Sequence, residues 1–161
     1  LDDLAAKEKP DVVIIMMGAN DAYNPIRVDG QKVEFGTQGW DTFYLGRARE
    51  LLSVLPNHTM VYWVGLPIMI KPGYAERIKK ENDLAAQACL ERSGAMFIDT
   101  WHVLTEDGQT YASHLVNEDG RTVKIRKTDT IHFTLPGAYM LSDRVMEVLQ
   151  DEIELIPLKE Q

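Results

Sequence analysis

Val12-Val13-Ile14-Ile15-Met16-Met17-Gly18-Ala19-Asn20-Asp21 is the stretch that decides how this chain is read. Six apolar residues run without alternation and stop abruptly at a small, polar, turn-forming tetrad. The run is far shorter than the roughly 20 apolar residues that span a bilayer. A short, unbroken apolar run bounded by turn signals predicts a strand buried on both faces, as in a parallel sheet. In open α/β sheets, ligands bind in the crevice beyond the carboxyl ends of the strands. Gly18 to Asp21 falls at that end, which places an Asn and an Asp where such folds keep their chemistry.

Outward from this stretch the pattern repeats. Leu1 to Lys7 reads as the end of a helix stopped by Pro10, so the chain opens inside an element. After Asp21, Ala22 to Pro25 reads as a turn. Arg27 to Phe35 reads as a hairpin around Asp29-Gly30, a dipeptide suited to a tight two-residue turn. Gln38 to Val54 is helical, with Trp40, Phe43, Leu51 and Leu52 near one face and Pro56 as the stop. Thr59 to Leu66 is a second apolar strand. Tyr74 to Ser93 is an amphipathic helix for which Gly94 is a candidate C-cap. Ala95 to Thr100 is a third strand. Thr110 to Arg126 predicts a second hairpin about Asn117 to Gly120. Thr134 is placed to cap a final helix with Pro136 in its first turn, and Leu141, Val145, Val148 and Leu149 form its inner face. Strands alternating with helices predict βαβ units and a parallel sheet covered on both sides.

Composition narrows the function classes. The 161 residues, 45% hydrophobic and 26% charged, predict one globular domain over 1–161. With 17 Lys and Arg against 25 Asp and Glu, the formal charge of −8 argues against a nucleic-acid surface, which needs basic patches. The one cysteine, Cys89, excludes an internal disulfide framework and reads as a small core residue. No glycine-rich phosphate loop is present, His58, His102 and His114 have no metal-ligand spacing, and no cofactor or metal is called for. Neither a signal peptide nor a membrane-spanning segment is visible in this stretch of chain.

Two loops carry chemistry. Asp129-Thr130-Ile131-His132 is a loop Asp-x-x-His: the carboxylate can accept an imidazole N–H and fix the tautomer, leaving the other ring nitrogen as a general base. Asn20 offers a side-chain N–H for a developing oxyanion, and Gly18 allows a close backbone approach. The bland readings are a loop acid beside a surface His and ordinary turn chemistry.

Gly18-x-Asn20-Asp21 after a buried strand and Asp129-x-x-His132 before the last helix resemble the third and fifth sequence blocks of the SGNH (GDSL-type) hydrolase superfamily, most closely a bacterial cell-envelope branch. The resemblance runs over nearly the whole chain. It implies a three-layer α/β/α, flavodoxin-like parallel sheet. It also implies His132 as general base, Asp129 as its orienting partner and Asn20 as oxyanion donor, with Gly18 and Asp21 shaping the supporting loop. Members are esterases, lipases and carbohydrate O-acetylesterases, and some relatives transfer acetyl groups to polysaccharides. The expected reaction is therefore ester hydrolysis by an acyl-enzyme, on an acetylated carbohydrate, in the periplasm or cell envelope. A polysaccharide O-acetyltransferase and a non-catalytic carbohydrate-binding module on the same fold are the alternatives.

One part of the family pattern is missing. The Gly-Asp-Ser strand that carries the nucleophile, and the oxyanion Gly after the second strand, do not occur here. Ser53 and Ser142 fall in predicted helices, Ser93 at a helix end, and Ser113 beside His114 in the predicted hairpin, so none is proposed as nucleophile. The expectation is that an N-terminal segment of the same protein, outside this chain, supplies the Ser and the strand beside Val12 to Met17. Without it, the most apolar strand would present a bare edge, which proteins rarely tolerate.

Other residues carry weaker signals. Trp63 and Trp40 read as core packing. Trp101, after the third strand, is the best candidate for stacking on a sugar. Tyr23 and Asn24 either reach the substrate or shape the Asn20 loop. Asn57-His58-Thr59 is formally a glycosylation acceptor. The Lys79-Lys80 and Lys124-Arg126-Lys127 clusters read as solvated faces.

Overall fold

The computed structural model describes residues 2–23, 26–70 and 73–153. Its centre is a parallel sheet in the order β1-β4-β5, formed by β1 (Val12–Ile15), β4 (Met60–Val64) and β5 (Ala95–Ile98). Val12 pairs with Met60 and Val61 with Ala95, so all three carboxyl ends finish on the same side. This is the α/β architecture with a parallel sheet that alternating strands and helices dictate.

Strand β4 shows why two helical layers form. Val61 and Trp63 point to one face and Tyr62 and Val64 to the other, the period of two of a strand. On the first face they meet α3 (Gln38–Ser53) and α4 (Tyr74–Leu90), through Trp40, Tyr44, Leu45, Ala48 and Leu52 from one helix and Leu84, Ala85, Ala88 and Cys89 from the other. On the second face they meet α5 (Leu135–Glu152), through Val145, Val148 and Leu149. Each such large apolar side chain, fully buried, contributes about 1.5–3 kcal/mol. Trp40 and Trp63 are core, as expected. Cys89 is buried and free, and burial pushes its thiol up to about 11.

The opening stretch differs from its reading in length and in burial, while its open side is the one expected of this chain. Strand β1 is shorter than predicted and lies at the edge of the sheet, with Ile14 51%, Met16 40% and Met17 47% exposed. Among the described residues only β4 pairs with it, so the apolar side chains have a neighbour on one side alone.

Local chemistry fixes the rest. α1 (Asp2–Glu8) ends before Pro10. β2 (Arg27–Val28) and β3 (Gln31–Lys32) form the hairpin predicted at Asp29-Gly30, whose φ angles of 49° and 80° suit the primed turn. β6 (His114–Val116) and β7 (Thr122–Lys124) form the second hairpin. The Thr37 and Thr134 hydroxyls accept from the Trp40 and Gly137 N–H groups and cap α3 and α5. Gly94 is not the C-cap of α4: Glu91 is, and Gly94 at φ 75° turns the chain into β5. Among the described residues no helix is long and apolar enough to cross a membrane.

Candidate active site

Beyond β1 the chain turns at Gly18, whose φ of 123° is a conformation that L side chains rarely adopt. The Gly18 carbonyl accepts from the Asp21 and Ala22 N–H groups at 2.8 and 3.1 Å. That closes a short helix, α2 (Ala19–Tyr23), where the sequence predicts only a turn. The Tyr74 hydroxyl donates to the Ala19 carbonyl, and Arg77 Nη1 donates to the Ala22 carbonyl at 3.4 Å. α4 therefore holds α2 from below. Asn20 is exposed in the first turn. Asp21 lies beside it, its carboxyl pKa raised by burial. The Tyr23 side chain and Asn24 lie outside the described residues.

The second loop folds around one carboxylate. Asp129 Oδ1 accepts from the backbone N–H groups of Ile131 and His132, both at 2.9 Å, and Asp129 Oδ2 is bonded to His132 Nδ1 at 2.8 Å. These bonds, the His132 backbone N–H first, hold the Asp129 carboxyl down at about 2. Thr130, at φ 65°, makes the bend. Lys127 N–H to the His132 carbonyl, at 2.8 Å, closes the loop's base. With Nδ1 engaged by a carboxylate, the imidazole keeps Nε2 as the nitrogen able to take a proton.

The two loops meet. A cleft of about 610 Å³ beyond the carboxyl ends of the strands is lined by Gly18, Asn20, Asp21 and His132, with Leu66, Met69 and Phe133 among its apolar walls. Residues more than a hundred positions apart thus share one cavity. None of the four serines lines it. Ser113 Oγ is bonded to His114 Nδ1 at 2.9 Å, but both are exposed on the β6–β7 hairpin. Trp101 lies elsewhere: with Asp99 and His102 it lines a neighbouring cleft of about 460 Å³, and its backbone N–H donates to Asp99 Oδ1 at 2.8 Å.

Two residues stand behind these loops, Arg126, read from the sequence as part of a solvated face, and Glu81, which the sequence reading did not single out. Arg126 is not a solvated cation. It is fully buried, donates to the carbonyls of Ile131 at 2.9 Å and Ile68 at 2.8 Å, and lies 4.6 Å from the Phe133 ring. It was hidden in a basic cluster whose other members, Lys124 and Lys127, are exposed. Likewise Lys80 is paired with Asp41 at 2.6 Å. Glu81, on the inner face of α4, is 2% exposed beneath Gly18. Its place in the apolar register of the helix, between Ile78 and Ala85, was the available signal.

Comparison with known proteins places the fold. Residues 1–148 match the family described as "Protein of unknown function (DUF459)". No curated protein matches the sequence. Among solved structures, LAE5, an alpha/beta hydrolase enzyme from the metagenome of Lake Arreo, Spain, superposes with a TM-score of 0.59 at 19% identity, over 94% of this chain and 68% of that one. A catalytic mutant of Axe2, an acetylxylan esterase from Geobacillus stearothermophilus, gives 0.58 at 15% identity, over 98% of this chain and 69% of that one. A protein from Streptococcus pneumonia named for platelet activating factor gives 0.57 at 16%, over 86% of this chain; the match spans 59% of its own length. The chain belongs to the DUF459 family, and its fold is that of the SGNH-type α/β hydrolases.

Proposed function

We propose that this chain carries the base, its orienting carboxylate and an oxyanion donor of a serine-type ester hydrolase. The observation that carries the reading is the Asp129–His132 pair at 2.8 Å in a cleft shared with Asn20. A serine hydroxyl attacks the ester carbonyl carbon, and its proton passes to His132 Nε2. The imidazolium is stabilised by the Asp129 carboxylate. Asn20 donates its side-chain N–H to the carbonyl oxygen as that oxygen becomes negative. The tetrahedral adduct expels the alcohol, which leaves with the proton from His132. Water then attacks the acyl-serine, gives a proton to His132, and the proton returns to the serine as the acid departs.

The serine comes from a segment of the same protein that pairs along the open edge of β1. Exposed Ile14, Met16 and Met17 support this, as do Leu135 and Tyr139 of α5, which are 64% and 60% exposed. An apolar strand edge and exposed apolar helical surface are features that ask for cover. The substrate class is an O-acetylated carbohydrate of the bacterial cell envelope. The likeness of fold to an acetylxylan esterase supports it.

The test is to express the chain together with its upstream coding segment and measure turnover of acetylated xylooligosaccharides. His132→Ala should abolish it. Equal rates in parent and variant would remove the reading and leave a binding module on a hydrolase fold. A serine-reactive phosphonate probe should label the upstream segment and none of Ser53, Ser93, Ser113 or Ser142.

A further inference from the structure

We infer that Glu81 is a positioning residue for the Gly18–Asn20 turn, its buried carboxyl forming a floor that must stay uncharged for the turn to keep its shape. This rests on the reading of Asn20 as oxyanion donor.

The geometry is tight. A Cβ placed on Gly18 would lie 3.0 Å from Glu81 Oε2, 3.1 Å from the Tyr44 hydroxyl and 3.2 Å from Leu66 Cδ1. Gly18 therefore sits directly on the carboxyl, with Tyr44 and Leu66 closing the sides. Both Glu81 oxygens are buried, and neither has a hydrogen-bond partner among the described residues. The charged or titratable groups that bear on it are Asp21 from α2, Tyr44 from α3 and Arg77, one turn earlier on its own helix. Arg77 is turned to other partners, the Ala22 carbonyl and the Phe35 ring 5.0 Å away.

A carboxylate in this position would be a buried charge without a pairing donor, beside the like charge of Asp21. Such charges are strongly disfavoured, and the neutral acid is the form that fits. Burial, reinforced by Asp21 and opposed by Arg77, pushes the Glu81 carboxyl up to about 9. At neutral pH the floor is neutral. When the proton leaves for solvent, the new charge needs water or a donor, and Gly18, which lies against the carboxyl, also lines the cleft. Displacing Gly18 moves Asn20, two residues on, away from the reacting carbonyl.

The experiment uses the full-length protein with its upstream segment and p-nitrophenyl acetate as the probe. Turnover of the parent should fall on the alkaline side with an apparent pKa of about 9. Glu81→Gln, which mimics the neutral acid and cannot ionise, should stay within about threefold of the parent near neutral pH and lose that alkaline limb. A merely structural Glu81 would change stability or rate and leave the limb in place, so an identical limb in Glu81→Gln overturns the inference. If the Gln variant does not fold, NMR of the parent decides. Glutamate carboxyl carbons and the Asn20 side-chain amide should report one shared titration above pH 8. Glutamates that all titrate below pH 6, or an Asn20 amide that ignores the high titration, overturn it. The NMR readout does not depend on catalysis: absent turnover, or turnover that survives His132→Ala, removes the hydrolase reading and leaves the coupling of Glu81 to Asn20 to be judged by itself.

Discussion

Arg126 donates through Nη1 to the Ile131 carbonyl at 2.9 Å, and so holds the peptide that leads into His132. Its Nη2 donates to the Ile68 carbonyl at 2.8 Å, which ties the same loop to the segment after β4. No carboxylate pairs with this guanidinium among the described residues. Two carbonyls and the Phe133 ring compensate the buried charge. Arg126→Met keeps the apolar stem and removes both donors, leaving two carbonyls short of a partner. Hydrogen bonds from charged groups are worth about 1.5–3 kcal/mol each, partly offset by hydration in the unfolded chain. The variant should lose about 2–4 kcal/mol in urea unfolding. Esterase turnover of the full protein should fall as well, because Ile131 and His132 lose their anchor.

The Asp129–His132 contact makes a different prediction, because both side chains are substantially exposed. Its Asp129 carboxyl is held at about 2, below the ordinary carboxylate value, by bonds made only in the folded loop. A depressed folded pKa means that the unfolded chain takes the proton first. The stabilisation is therefore present above about pH 4 and is lost as pH falls toward 2. Asp129→Asn should lack this acid-side loss in thermal melts run from neutral pH downward. The same variant keeps the loop's shape but frees the wrong tautomer, so turnover should fall on the order of 10⁴-fold.

Asn20→Ala separates binding from chemistry. The side chain is exposed at the first turn of α2 and supports no packing. Stability should therefore change by less than about 0.5 kcal/mol. An oxyanion donor acts in the transition state, so kcat should drop by roughly 10²–10³ with KM little changed. A rise in KM at unchanged kcat would make Asn20 a ground-state contact instead.

The layered fold was legible because its signals are local. Val12 to Met17 and Thr59 to Leu66 announce strands by apolar run length. Thr134 and the Asp-Gly pair announce a cap and a turn by side-chain chemistry that needs no tertiary contact. Asp129 and His132 were legible for the same reason, since three residues of loop suffice to bring them together. What was not legible depends on distant partners. Arg126 looks like its exposed neighbours Lys124 and Lys127 until Ile68, 58 residues earlier, is placed against it. Glu81 acquires its meaning from Gly18 and Tyr44, on other elements. The open side of β1 was legible from the length of its apolar run, but the exposure of Ile14 on a strand read as buried on both faces depends on the sheet as a whole.

Gly137 offers the sharpest packing test. It lies in the first turn of α5, and a Cβ there would come 2.2 Å from the Ile125 carbonyl oxygen and 3.0 Å from its carbon. Both are backbone atoms and cannot swing aside. That same carbonyl accepts from the Thr134 N–H at 3.1 Å, and the Thr134 hydroxyl donates to the Lys124 carbonyl at 2.5 Å. Relief of the clash must lift the start of α5 from the end of β7, breaking both bonds and loosening Leu141 against Ile125. Gly137→Ala should cost about 3 kcal/mol or more despite alanine's better helix propensity. The displacement should also reach His132, two residues before Thr134. Gly46→Ala is the control: Gly46 is exposed in α3, and an added Cβ meets nothing within 4 Å. There helix propensity acts alone, and the variant should gain about 0.5–1 kcal/mol. Opposite signs for the two substitutions in parallel urea titrations are the expected result, and equal signs would contradict the close docking of α5 on Ile125.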